Sequence, residues 1–170
     1  LAGVKVLVID QSASNRRVLT SMLKTLRCEC AIVENVVQGL EQLQRAVERG
    51  AGFDIAILDM KVPGMDAANL AREIKSQPLL RPMQLVLMTS VGMRGDGQRF
   101  GELGFSVYLT KPVKQSQLLE CILELLGRSQ ARVDQDSAAG ALVTRHTLAE
   151  RRRERARILL AEDNEINQRL

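Results

Sequence analysis

Short apolar runs recur along the chain at Val4–Ile9, Cys30–Val33, Ile55–Leu58, Leu85–Met88 and Val107–Leu109, each bounded by polar or turn residues. Runs this short, apolar without alternation, are the pattern of strands buried on both faces. Helical spacing fills the intervals. Val18, Leu19, Met22, Leu23 and Leu26 share one helical face, and so do Val36, Leu40, Leu43 and Val47, with Asn35 as N-cap and Gly50 as the stop. Ala67, Leu70, Ala71 and Ile74 mark a third helix halted before Pro78, and Asp96 to Leu103 a weaker fourth. Leu118, Ile122, Leu125 and Leu126 form a fifth, with Gly127 as its expected end.

Strand and helix thus alternate five times, which predicts an α/β domain over residues 1–127 with a parallel sheet covered on both faces. Right-handed crossovers leave few topologies. The doubly wound order 2-1-3-4-5 is the natural one, and its working crevice lies at the carboxyl ends of the strands, near the switch point between the first and third.

The remainder reads differently. Residues 128–156 start polar and small, without a clear period, and suit a tether. Thr147 and Glu150 make a capping box that opens a short charged helix just after His146, a solvated linker histidine. The last residues, RILLAEDNEINQRL (157–170), repeat KVLVIDQSASNRRV at a constant offset of 152. Glu162 meets Asp10, Asp163 meets Gln11, and Asn167 meets Asn15. The repeat predicts the first strand and helix start of a second, truncated domain at 157–170. Leu1 fits a segment cut from a longer chain.

Composition narrows the class. Apolar residues are 45 % and aromatics 2 %, so the core is aliphatic. Charged residues are 26 %, the net charge is +4, and the basic excess is shallow along the whole length. RRRERAR (151–157) is the one dense basic spot, and its interrupting glutamate marks a solvated helix face. Direct nucleic-acid binding is therefore not expected. No apolar run approaches the ~18 residues of a membrane span, so no membrane contact is expected of these residues. Cys28, Cys30 and Cys121 do not make a disulfide framework, and C-x-C without a second pair is a poor metal motif. Reduced thiols in a cytoplasmic protein are the expectation.

The strand ends carry the candidate chemistry. The first run ends in Asp10-Gln11, the third in Asp59, the fourth in Thr89-Ser90 and the fifth in Thr110-Lys111-Pro112. Two neighbouring carboxylates repel, so they share a proton or hold a cation. A hard oxygen site with open positions suits Mg2+, which commonly also binds phosphate oxygens. Asp59 could act as a carboxylate nucleophile, Lys111 could neutralise a transferring phosphoryl group, and Thr89 could donate a hydrogen bond to it. A phosphatase or nucleotide binder is disfavoured. There is no Walker loop, and the glycines of SVGMRGDGQRFGELG lack the strand–GxGxxG–helix context.

VLVID at the first strand, ILDMKVPGMD around Asp59, LMTS at the fourth and YLTKP at the fifth resemble the receiver domain of two-component response regulators over Val4–Gly127. The spacings of 30 residues from Asp59 to Thr89 and 52 to Lys111 suit that family. RILLAEDNEINQ resembles the opening of a second receiver, so the arrangement resembles the tandem-receiver end of a hybrid sensor histidine kinase, here without a kinase core. The resemblance implies a flavodoxin-like fold and a phosphorelay role. Asp59 would accept phosphate from a phosphohistidine of a histidine kinase or histidine phosphotransfer domain. Asp10, Gln11, Asp59 and the backbone carbonyl of Lys61 would hold Mg2+. Thr89 and Lys111 would bind phosphoryl oxygens, and Tyr108 would swing inward as Thr89 moves. The Lys111–Pro112 bond would be cis. The switched surface would be that of the fourth helix, fifth strand and fifth helix. Partners would be the phosphodonor, the adjacent receiver of the same polypeptide and, through the leucine-rich helix 118–126, a second copy.

Two positions depart from the family pattern, the smaller being Ala67, where the family prefers glycine after Met65-Asp66. Gln11 stands where a second acid usually ligates the metal, and an amide oxygen brings no charge. Two expectations follow: a phosphoacceptor with weakened Mg2+ affinity, or a degenerate receiver acting as an interaction module without phosphorylation.

Overall fold

The computed structural model describes residues 1–61, 65–90 and 97–134. The capping box at 147–150, His146, the repeat at 157–170 and the Arg94-Gly95-Asp96 triplet lie outside the described residues. The elements run β1 (Lys5–Ile9), α1 (Ala13–Thr25), β2 (Glu29–Val33), α2 (Val36–Glu48), β3 (Ile55–Asp59), α3 (Ala67–Ser76), β4 (Gln84–Thr89), α4 (Gly97–Glu102), β5 (Phe105–Thr110) and α5 (Gln115–Asp134). The five strands form one parallel sheet in the order β2-β1-β3-β4-β5, as expected for a flavodoxin-like doubly wound fold.

Strand alternation divides the core into two layers. Leu7, Ile9, Leu58, Leu85 and Leu87 face one way and pack with Leu43 of α2, Leu70 and Ile74 of α3 and Phe100 of α4. Val6, Val8, Ile57, Val86 and Val107 face the other way and pack with Leu19 and Leu23 of α1 and Leu118, Ile122 and Leu125 of α5. Every residue of β3 and β4 is buried, which explains their unbroken apolar runs. Edge strand β2 is only partly buried.

Helix starts follow their side-chain caps. Ser12 Oγ accepts from Asn15 N–H, Asn35 Oδ1 from Gln38 N–H at 2.9 Å, and Asp66 Oδ1 from the N–H groups of Ala68 and Asn69 at 2.6 and 3.0 Å. Gly50, just past α2, has φ +62°, the left-handed conformation that ends many helices. Arg27 adopts φ +60° just past α1, and its N–H bonds back to the carbonyl of Lys24.

Some positions differ from the sequence expectation. Val18 is 50 % exposed, because the stripe on α1 that meets the sheet runs through Leu19 and Leu23. On α2, Gly39 and Ala46 join Val36 and Leu43 as buried positions, while Leu40 and Val47 are only partly buried. A Cβ at Gly39 would collide with the Ile9 side chain, so the missing side chain lets α2 lie close over β1. Gly127 does not stop α5, which continues to Asp134. Gly in a helix interior costs only about 1 kcal/mol relative to Ala, so it ends a helix only where the following backbone turns away.

Candidate phosphoacceptor crevice

Backbone bonds just past the strand ends bring the polar residues level. Asp10 N–H bonds to the carbonyl of Val33, Met60 N–H to that of Met88, and Lys111 N–H to that of Thr89. The ladder therefore continues one residue past β1, β3 and β5, and it delivers Asp10, Asp59, Thr89 and Lys111 to one rim. Asp10 is fully buried, Asp59 is 6 % exposed and Thr89 is 1 % exposed.

Lys111 joins the two acids. Its Nζ lies 2.8 Å from Asp10 Oδ2 and 2.9 Å from Asp59 Oδ1. The stem passes through the rim, leaving the side chain 16 % exposed with its charge inside. One ammonium thus faces two carboxylates, and the buried cluster carries a formal excess of negative charge. Burial of this kind is strongly unfavourable unless cation and hydrogen-bond donors offset it.

Those donors come from the start of α1. Ser12 N–H reaches Asp10 Oδ1 at 2.7 Å, and Asn15 Nδ2 reaches Oδ2 at 3.1 Å and Oδ1 at 3.5 Å. Arg16 closes the loop beneath them, its Nη1 donating to the carbonyls of Asp10 and Gln11, both at 2.9 Å. Its Nη2 is 3.4 Å from Glu34 Oε2, on the loop after β2. At the other acid, Lys61 N–H points to Asp59 Oδ1 at 3.4 Å.

The remaining predicted residues sit around this centre. The Thr89 hydroxyl donates to Met60 Sδ at 3.5 Å, beside Asp59 in sequence. Gln11 is exposed next to Asp10, and Lys61 is exposed on the loop after β3. Tyr108, 9 % exposed, packs in the same apolar layer as Leu87 and Phe100. The Lys111–Pro112 bond is cis. Asn15, Arg16 and Glu34 were not singled out as site residues from the sequence. The signal for Asn15 was present, because it recurs at the same place as Asn167 in the terminal repeat.

The donors that the structure brings together at the rim are hard oxygens, the buried carboxylates of Asp10 and Asp59. That chemistry fits Mg2+, which takes one or two protein carboxylates and keeps several waters. It does not fit a metal held wholly by side chains, and among the described residues no group of three or more His, Cys, Asp or Glu could hold one. The cysteines take no part. All three are free, and burial raises the thiol pKa of Cys28, and that of Cys121 to about 12.

Residues 6–123 match the response regulator receiver domain. The chain belongs to that family. Among curated proteins, it is 28 % identical over 122 residues to hybrid signal transduction histidine kinase L of Dictyostelium discoideum, covering 69 % of this chain and 7 % of that protein. It is 30 % identical over 123 residues to response regulator PleD of Caulobacter vibrioides, covering 72 % and 26 %. The sensor histidine kinase GacS of Pseudomonas protegens is 25 % identical over 126 residues, with 72 % and 13 % covered. The chain therefore spans about a quarter or less of the length of these relatives.

Solved structures agree with the fold. Chemotaxis response regulator CheY4 of Vibrio cholerae superposes with a TM-score of 0.65 at 22 % identity, covering 72 % of this chain and 98 % of that chain. The receiver domain of sensor histidine kinase PA1611 from Pseudomonas aeruginosa gives 0.64 at 25 % identity, covering 74 % and 99 %, and has magnesium coordinated in its active-site cleft. Among the described residues of the present receiver, no helix is long and apolar enough to cross a membrane.

Proposed function

We propose that this receiver accepts a phosphoryl group from phosphohistidine onto Asp59, within a phosphorelay built from a hybrid histidine kinase or its phosphotransfer partner. The observation that carries the reading is the Lys111 ammonium held between Asp10 and Asp59 at 2.8 and 2.9 Å. In the transfer, the phosphorus–nitrogen bond to histidine breaks and a phosphorus–oxygen bond to an Asp59 carboxylate oxygen forms. The histidine nitrogen leaves with the electron pair. Lys111 follows the charge onto the phosphoryl oxygens, and Thr89 turns its hydroxyl from Met60 to donate to one of them. Asp10, Asp59, Gln11 and the Lys61 carbonyl would hold Mg2+, which supplies the remaining compensation of phosphoryl charge. Movement of Thr89 is read out by Tyr108 and shifts populations of the α4-β5-α5 surface.

The residues from 1 to 127 form the receiver unit in this reading, and 157–170 open a second one beyond the linker 128–156, in a cytoplasmic part of the parent protein. Leu123, 52 % exposed on α5, belongs to the surface that a second copy would use.

A second reading rests on Gln11. The amide adds no charge beside Asp10, so a degenerate receiver that acts by contact alone also fits this position. One titration separates the two. With Mg2+ and a small acyl phosphate, the protein gains one phosphoryl group and Asp59→Asn gains none, and Gln11→Asp binds Mg2+ about tenfold tighter, the effect of a charged ligand replacing a neutral one. Uptake in Gln11→Asp but never in the parent protein would decide for the degenerate receiver.

A further inference from the structure

We propose that Asn15 controls access of a divalent cation to Asp10, acting as a removable lid on that carboxylate. The inference rests on the reading of this crevice as a Mg2+ site and concerns its regulation. A carboxylate offers about four lone-pair positions. Those of Asp10 are all taken: Oδ1 by Ser12 N–H at 2.7 Å and Asn15 Nδ2 at 3.5 Å, and Oδ2 by Asn15 Nδ2 at 3.1 Å and Lys111 Nζ at 2.8 Å. A cation that meets Asp10 directly needs one of these positions. A cation that meets it through a bound water needs one too, because the water must donate to the carboxylate.

The donors differ in how readily they yield. Ser12 N–H is fixed by the chain, since Ser12 is the N-cap of α1. Lys111 is held from two sides, by Asp10 and by Asp59. Asn15 is a side chain on the first turn of α1, it makes the longer contacts, and rotation about its own bonds withdraws it without moving the backbone. It is therefore the group that a cation displaces. The acid and the amide recur five residues apart in the terminal repeat, as Glu162 and Asn167, where Asp163 stands in place of Gln11. The amide is thus independent of the Gln11 exchange.

The test is calorimetric titration of the whole chain with Mg2+ alone, for the parent protein, Asn15→Ala and Asn15→Leu. Without the competing donor, affinity rises roughly tenfold in both variants, the value of one hydrogen bond to a charged group. Asn15→Leu keeps the branching and heavy-atom count of the side chain without its donor, so it answers the question if the alanine variant loosens α1. Equal or weaker Mg2+ binding in a folded variant, including no binding at all, overturns the proposal. So does loss of folding in both variants, which would make Asn15 a brace for the loop. The same proteins are then treated with a small acyl phosphate. Absence of phosphorylation in every variant removes the phosphoacceptor reading while the Mg2+ comparison still stands.

Discussion

The two ends of the sheet treat polar groups in opposite ways. At the amino ends, polar side chains finish the backbone pattern. Asp54 Oδ2 accepts from Lys5 N–H at 2.8 Å in an exposed position, and buried Gln84 donates to the Pro82 carbonyl and accepts from Ser106 Oγ at 2.8 Å. Asp54 is solvated, and Gln84 is neutral and paired. At the carboxyl ends, two buried acids share a single ammonium. Elsewhere in the interior, a buried titratable group is kept neutral: burial chiefly, with Glu124 adding to it, pushes the Cys121 thiol up to about 12. Burying neutral groups such as Gln84 and Cys121 elsewhere, yet assembling an ion cluster at this rim, concentrates unfavourable electrostatics where a ligand can relieve it.

The sharpest way to break this contrast is Lys111→Met. It leaves Asp10 and Asp59 facing each other without a cation, and the expected loss is about 3 kcal/mol of unfolding free energy in urea, partly restored by Mg2+. A loss that Mg2+ does not restore would mean the cluster is held by packing. At the amino ends, Gln84→Ala removes two hydrogen bonds and should cost about 2 kcal/mol while leaving Mg2+ affinity unchanged in the same titration.

The neutral burial of Cys121 predicts a pH effect. The thiol ionises in the unfolded chain near 9.0 and in the folded one only near 12. The unfolded state therefore loses its proton first. The contribution to stability is full below pH 9 and declines through the window up to the folded value, by about 1.4 kcal/mol per pH unit. Urea unfolding of the parent protein and Cys121→Ala between pH 8 and pH 10.5 checks it, the variant being expected to show the shallower decline. The smallest effect belongs to Asp54→Ala, an exposed acceptor at the amino ends, expected to cost about 0.5 kcal/mol with phosphorylation intact.

Much of this is legible in the sequence alone. Unbroken apolar runs gave β1, β3 and β4 because strands covered on both faces have no polar side to display. Asn35 marked the start of α2 because the cap is made by local chain geometry. The positions of Asp10, Asp59, Thr89 and Lys111 at strand ends followed from where those runs stop. Less was legible where burial depends on a neighbour. Val18 matched its helix face yet lies outside, and Gly39 carried no apolar signal yet marks the closest approach of α2 to Ile9. Gly127 looked like a stop, but helix termination depends on what the following backbone does, and α5 continues.

By itself, the sequence determined the order of elements and which side chains stand at the strand ends, because both follow from short-range periodicity and from where apolar runs are interrupted. Only the tertiary structure decided that Lys111 lies between both acids and that Asn15 and Ser12 cover Asp10. Those contacts join residues up to 101 positions apart. Their geometry is set by the register of five parallel strands and the docking of α1, which no local pattern encodes.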